Sequence, residues 1–287
     1  MLRSLQQIVI IFLLILALAA IPMIIQVNPL EHRLEWKLER LPKIYGDFIS
    51  EISKGSLGTY KLGTQRREIA GDIEGNFFNS LKIMVIGVNV SIIISLIFGI
   101  FVSRFRLTKF FNLVLNIFAA IPDFILIIMS LIAAVKIYKM TGVRIISLRP
   151  DAGALNLWFP TILVGIAPTL YMFKLVTVKY VQTSSEDYIK TAVAKGLRLN
   201  YINFQHIYKN IEPFIKAELI KVISLAIGNL FIIEYIMNVS GITKFIFQSN
   251  EIQPIAIGLF SMLIISGIVY VSIRLGLYLF KRGFIHE

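Results

Sequence analysis

The sequence predicts an all-α membrane protein with six transmembrane helices. Hydrophobic residues make up 56% of the chain and charged residues only 16%. The mean hydropathy is +0.76. Several apolar runs also reach the about 20 residues that a helix needs to cross a bilayer. A soluble domain of 287 residues would carry far more polar surface. The runs fall at about Ile8–Ile25, Phe77–Ser103, Phe110–Ile137, Leu157–Tyr180, Phe214–Met237 and Pro254–Phe280. Arg3 and the Ala17-Leu18-Ala19 triplet also fit a cleaved signal peptide. Because the apolar run continues to Ile25, an uncleaved span is expected.

The chain therefore reads as an N-terminal span over 1–25, a long loop over 26–76, and a five-helix core over 77–287 with a polar loop at about 181–213. In the long loop, Leu30, Leu34, Leu38, Leu41, Tyr45, Phe48 and Ile52 recur every three or four residues. That is an amphipathic helical stripe. Pro42 is expected to split it into two short helices, resting on the membrane or on neighbouring spans. A docking surface for an outside partner is the sharper alternative. With the N-terminus inside, inner segments carry twelve basic residues and the two short outer loops carry four. This favours the N-in topology. The long loop adds eight basic residues outside, so charge leans toward that topology without deciding it.

Composition also excludes chemistry. There are no cysteines, which removes disulfides, thiolate ligands and thiol nucleophiles. His32, His206 and His286 are far apart and lack metal-ligand spacing. The net charge of +12 reports membrane orientation rather than nucleic-acid binding. No GxxxxGK[ST] phosphate loop occurs. Two carboxylates stand out for their depth: Asp123, after Pro122 in the third span, and Glu234, toward the outer end of the fifth. A buried carboxylate in lipid faces a partner or a wet cavity, so both are candidates for a translocation pathway. Lys216, Glu218 and Lys221 have helix-neighbour spacing and are expected to form one ion-pair set.

The most informative segment is Glu186 to Gly196, EDYIKTAVAKG, a polar stretch between two apolar runs. Ser184 and Ser185 are expected N-caps, with Glu186 and Asp187 in the first turn. A helix there stacks Tyr188 over Ala192 and Ile189 over Val193, and Gly196 suits a left-handed C-cap. A second short helix is expected from Asn200, carrying Tyr201, Phe204, Ile207 and Tyr208 and ending near Pro213. Alanines permit close backbone approach, so the segment can act as a knob for a socket. A solvated basic loop that only fixes topology remains open on these residues alone.

The string EDYIKTAVAKG, followed by HIYKNIEP, resembles the cytoplasmic "EAA" loop of binding-protein-dependent ABC importer permeases. More narrowly, it is similar to the dipeptide/oligopeptide/nickel branch. Gly55-Ser56-Leu57-Gly58-Thr59, Ala120-Ile121-Pro122-Asp123-Phe124 and Glu234 with Gly241-Ile242 resemble further stretches of that branch, in the same order. The first of these points to a B-type subunit. Lys190 stands at the EAA glutamate position, Ile242-Thr243 replaces Leu-Gly, and the usual D-P-R near the C-terminus is absent.

The resemblance implies a type I ABC importer (MetI-like) permease fold in a bacterial cytoplasmic membrane, with both termini cytoplasmic. It implies that Glu186, Asp187, Tyr188, Thr191, Ala192, Ala194, Lys195 and Gly196 engage a cytoplasmic ATPase. It further implies a second permease subunit of C type, two ATP-binding subunits and an extracytoplasmic substrate-binding protein. No cofactor is expected on this chain, which would be non-catalytic, since ATP is used by the partner subunits. Peptides are the expected cargo. Nickel or a metallophore complex, a stand-alone channel or secondary transporter, an intramembrane enzyme and a non-transporting assembly factor are the alternatives.

Overall fold

The protein is described by a computed structural model that covers residues 2–28, 33–101 and 107–284. The elements follow in chain order. Helix α1 (Leu2–Ile24) leads into an antiparallel hairpin of β1 (Ile25–Asn28) and β2 (Arg33–Trp36). A 3₁₀ turn (Leu38–Arg40), α2 (Leu41–Ser53) and a second hairpin, β3 (Thr59–Leu62) with β4 (Gln65–Glu68), follow. Next come α3 (Ile69–Phe101), α4 (Leu107–Ala120), α5 (Asp123–Thr141), α6 (Ala154–Ser184) and α7 (Asp187–Ala194). The chain ends with α8 (Leu199–Tyr201), a π-helical turn (Ile202–Tyr208), α9 (Lys209–Ile236), α10 (Ile242–Phe247) and α11 (Ile252–Phe284). Among the described residues, six helices are long and apolar enough to cross a membrane. The chain forms two compact units, residues 1–80 with 240–265, and residues 81–239 with 266–287.

In the first unit, α1 is apolar from Ile8 onward, and Gln6–Ile24 is its spanning stretch. The long loop departs from the expected pair of helices. Among the described residues of the stripe only α2 is an α-helix, with Pro42 in its first turn, where a missing N–H costs nothing. Leu34 lies in β2 and Leu38 in the 3₁₀ turn, while Leu30 lies outside the described residues. Arg33-Leu34-Glu35-Trp36 alternates polar and apolar residues, and this two-residue period outweighs the leucine spacing. Helix α2 buries Ile44 and Phe48, one turn apart, and Tyr45 donates a hydrogen bond to the Leu16 carbonyl at 3.3 Å. The core of this unit gathers Tyr60, Ile69, Phe245 and Ile257. The Tyr60 hydroxyl donates to Asp72 at 2.9 Å, and Arg67 pairs with the same carboxylate at 3.1 Å. Burial and the adjacent Asp72 charge push the Tyr60 phenol up to about 12.

In the second unit the third span is broken. The expected run Phe110–Ile137 becomes α4 and α5, separated at Ile121 and Pro122. Pro122 is extended (φ −55°, ψ 136°) and its carbonyl accepts the Ile125 and Leu126 N–H groups at 2.9 and 3.3 Å. A proline inside an uninterrupted helix would clash with the carbonyl four residues earlier, so the helix restarts here. Asp123 is thus the first residue of α5 rather than a mid-helix residue. Its side chain lies outside the described residues.

Helix α6 carries Pro160 and Pro168 and packs closely on α3. A Cβ on Gly87 would come within 2.7 Å of the Thr161 carbonyl oxygen, and one on Gly165 within 2.6 Å of Ser91 Oγ. The glycines let the backbones approach until hydroxyls on α3 reach carbonyls on α6. Ser91 Oγ lies 2.8 Å from the Gly165 oxygen and Ser95 Oγ 3.1 Å from that of Thr169. This small-residue approach with hydroxyl bridges is how helices associate where lipid supplies no hydrophobic drive. Asn89 extends the network to Ser272 on α11 at 2.8 Å.

Two outcomes test these contacts. Gly165→Leu is expected to force α3 and α6 apart at a cost of about 1–3 kcal/mol, read as a lower melting temperature of the detergent-solubilised protein, with Gly165→Ala intermediate. Tyr60 should titrate late, at about 12. The neutral phenol is the form held by the fold, so its contribution is complete below the ordinary tyrosine value and disappears as pH rises through about 12. Hydrogen exchange at Thr59–Leu62 should accelerate over that window, and Tyr60→Phe should remove the pH dependence.

Candidate functional site

The loop between α6 and α9 forms a short helix with a buried root and an exposed rim. Glu186 is extended (φ −69°, ψ 148°) and starts α7, without a side-chain cap hydrogen bond. The expected serine caps act elsewhere: the Ser184 and Ser185 hydroxyls donate to the Val181 carbonyl at 3.0 and 2.9 Å. They close the end of α6, because the chain is still helical at Ser184 and its last carbonyls need partners.

The C-terminus of α7 matches the expectation for Gly196, whose φ is +75°. Gly196 N–H donates to the Val193 carbonyl at 2.9 Å, and Leu197 N–H to that of Ala192 at 3.3 Å. These two bonds form a Schellman motif, in which a left-handed residue turns the chain sharply out of the helix.

Ile189 and Ala192 face the protein's own chain, exposed by only 4% and 6%. Ala192 is therefore not part of a projecting knob: its small size lets α7 sit against α6 and the π-helical turn. The rim consists of Glu186, Asp187, Tyr188, Lys190, Thr191, Val193, Ala194, Lys195 and Gly196, all exposed. Lys190 pairs with Asp187 at 2.8 Å, and the Thr191 hydroxyl donates to the Asp187 carbonyl at 2.9 Å. Tyr188 Oη accepts from Asn210 Nδ2 at 3.0 Å, a tie that sequence spacing gives no sign of. Partial burial, and secondarily the Glu186 charge, raise the Tyr188 phenol above the ordinary tyrosine value.

The expected second helix does not end near Pro213. Leu199 to Ile236 is one helical stretch, and the π-helical turn sits just ahead of Pro213. Tyr208 and Phe204 from this turn pack on Phe280 of α11, with ring centroids 5.1 and 6.1 Å apart. Tyr180 on α6 donates to Asn203 at 3.3 Å. The loop is thereby fastened to α6 and α9 at several points.

The polar groups of α9 are arranged differently from the expected ion-pair set of Lys216, Glu218 and Lys221. Lys216 pairs with Glu212 at 2.6 Å. Glu218 accepts the Tyr171 hydroxyl at 2.5 Å, and the Lys221 ammonium lies over the Tyr171 ring, 4.5 Å from its centroid. The aromatic ring of α6 reaches between the α9 charges and redistributes them. Glu234 is fully buried in the second unit, at the last turn of α9. Its carbonyl accepts from Val239 N–H at 3.0 Å, next to Asn238, which has a positive φ of 53°.

Comparison with known proteins places this geometry. Residues 91–284 match the family described as binding-protein-dependent transport system inner membrane component. A protein of Brucella ovis with a provisional peptide-permease name is 22% identical over 80% of this chain and 75% of its own length. The oligopeptide transport system permease protein OppB of Mycoplasma pneumoniae is 26% identical over 78% of this chain and 59% of its own length. OppB of Mycoplasma genitalium is 35% identical over a shorter stretch, 31% of this chain and 22% of its own length. The matched region contains the α6–α7–α9 assembly and the broken third span. This chain belongs to the family of binding-protein-dependent transport system inner membrane components, and it is a multi-pass membrane permease component.

Proposed function

We propose that this chain is the permease subunit of an ATP-driven importer of peptides, coupled to its motor through residues 186–196. The observation that carries the coupling role is the division of α7 into a root and a rim. Ile189 and Ala192 hold the helix to its own protein, while Tyr188, Thr191, Val193, Ala194 and Lys195 stay open. A partner that grips the rim pulls on α9 and α6, because Asn210 of α9 donates a hydrogen bond to Tyr188 of the rim and Tyr180 of α6 donates one to Asn203 in the π-helical turn on which α7 rests. The relatives' names supply the cargo class.

In this reading the chain performs no hydrolysis itself. Two separate ATP-binding subunits use ATP on the cytoplasmic side, where both termini of this chain also lie. A C-type permease completes the pathway, and an extracytoplasmic binding protein delivers the peptide. This chain is the B-type subunit. Asp123, at the break before α5, is assigned to the pathway. Glu234 is enclosed, and would meet cargo only when α9 moves.

Two experiments bear on the coupling role. Gly196 has open space where a Cβ would sit, so only its backbone conformation opposes substitution. Gly196→Val should cost about 1–2 kcal/mol locally, leaving membrane insertion intact while weakening ATPase association about tenfold or more. Gly196→Asn should be milder, and normal assembly and transport by Gly196→Val would remove the Schellman turn from the mechanism. Because the chain has no cysteine, a Val193→Cys variant gives a single reporter. In inside-out vesicles an impermeant maleimide should label it after the ATPases are stripped and not before. Labelling only from the outside would overturn the proposed side of the loop.

A further inference from the structure

At the end of α1 a cavity of about 790 Å³ opens within the first unit, between α1, α2 and the segment leading into α11. Two span ends fix its level. The spanning stretch Gln6–Ile24 stops beside it and the stretch Ile252–Gly283 starts beside it. The Ile252 N–H donates to the Met23 sulfur at 3.3 Å, which holds these two ends together. Helix α2 lies along the last turns of α1 rather than beyond them. The Leu16 carbonyl that accepts from Tyr45 precedes Ile24 by two helical turns, about 12 Å down the axis. Ile44 and Phe48 of α2 are buried, whereas Ile49 and Ile52 stay exposed, as do Trp36 and Leu38 ahead of it. A helix set beside a span end with uncovered apolar side chains rests in the lipid head-group layer.

The cavity walls carry both signs of charge. Arg40 comes from the 3₁₀ turn, Lys43 and Asp47 from α2, and Glu251, beside Asn250, from the approach to α11. Among the described residues, none of these four charged side chains forms an ion pair. Lys43 and Asp47 have the spacing of a helix pair, but with the lysine first, the weaker orientation. The floor is apolar, made by Pro22, Met23 and Ile25. One turn below them Leu18 and Ile21 are exposed and continue that surface along α1. Two cations and two carboxylates sum to zero, so a bare anion or a bare cation meets as much repulsion as attraction. The complement of this wall and floor is one molecule with a phosphate, an ammonium and an apolar tail.

We propose that this cavity binds the head group of a phospholipid that carries a primary ammonium, the chemistry of phosphatidylethanolamine. Arg40 and Lys43 take the phosphate, the guanidinium offering a planar fork of N–H donors to its oxygens. Asp47, Glu251 and the Asn250 amide oxygen take the ammonium, whose three N–H groups need three acceptors. The glycerol end of the acyl chains lies on Pro22, Met23 and Ile25, and a chain descends over Ile21 and Leu18. The bound lipid joins α1, α2 and α11, three elements that meet at this membrane boundary. It is independent of which cargo the protein carries.

The test uses the intact complex, purified in detergent and stripped of lipid, with retained lipid read by native mass spectrometry. The probes are phosphatidylethanolamine, phosphatidylcholine and phosphatidylglycerol with identical acyl chains. The wild type should hold one phosphatidylethanolamine about tenfold tighter than either of the others, the difference of one charge-assisted hydrogen bond. Phosphatidylcholine has no N–H to offer the carboxylates, and phosphatidylglycerol has no cation. Asp47→Asn with Glu251→Gln should erase that preference and leave all three lipids at the phosphatidylglycerol level. Arg40→Gln with Lys43→Gln should weaken all three by about tenfold or more. Arg40, Lys43 and Asp47 are exposed, so these substitutions leave the core intact. Glu39→Gln, next to Arg40 but outside the cavity, should change nothing. Equal retention of the three lipids by the wild type would mean ordinary annular lipid and overturn the site. A preference that survives Asp47→Asn with Glu251→Gln would overturn it as well. Soluble phosphoethanolamine and penta-alanine separate the other sources of the same charges. Neither should displace the lipid at equal concentration, since neither fills the acyl track, and displacement by either would assign the cavity to a soluble ligand.

Discussion

Hydrocarbon offers no hydrogen bonds to the backbone, and the second unit is organised around meeting that constraint from within. The close contact of α3 and α6 is its centre. Gly87 and Gly165 remove the side chains that would hold the helices apart, and Ser91 and Ser95 then span the gap to α6 carbonyls. Without this contact the two prolines of α6 would leave a weakened helix facing lipid. With it, α6 is a firm element on which α7 and α9 can be mounted. The breaks in the fold are repaired in the same way: the Pro122 carbonyl accepts the N–H groups that restart α5, and Asn238 turns the chain out of α9 in a left-handed conformation.

The loop at 186–196 follows from that firmness. A helix as short as α7 does not hold together alone in water. It is stable because Ile189 and Ala192 are buried on the protein and because Gly196 satisfies its last carbonyls. Its exposed residues are then free to be chosen for a partner. Tyr188, Val193, Leu197 and Tyr201 leave apolar surface in an otherwise charged neighbourhood.

Much of this arrangement was legible in the sequence, and what was not has physical causes. Apolar runs located five spans to within a few residues at most of their ends, because about 20 consecutive apolar residues match the thickness of a bilayer core and suit little else. Gly196 was readable since glycine is the residue that suits a left-handed cap. Proline misled in two directions. Pro122 broke a helix that looked continuous, whereas Pro213 sits inside one that was expected to stop. The difference lies in the turn before each, which spacing does not reveal. The leucines of the first loop matched a helix, yet the alternation around Trp36 formed a strand. The placements of Ala192 and Lys221 depended on contacts with α6, and long-range packing of that kind leaves no local signature.

The π-helical turn at Ile202–Tyr208 has a consequence for the whole of α9. A wider turn stores a surplus residue relative to regular winding, and each residue advances the helix by about 100°. The angular phase of everything beyond it is therefore set there. α8, ahead of the turn, and Lys221, beyond it and over the Tyr171 ring, share one continuous helical stretch at a relative phase that includes that surplus. Deleting a single residue within Ile202–Tyr208 would rotate the chain ahead of the turn by about 100° against Lys221 and its Tyr171 partner. The angle between the start of this helix and the α9 face that carries Lys221 is thus set by rotation, and chain length across the turn is as constrained as any side chain in it.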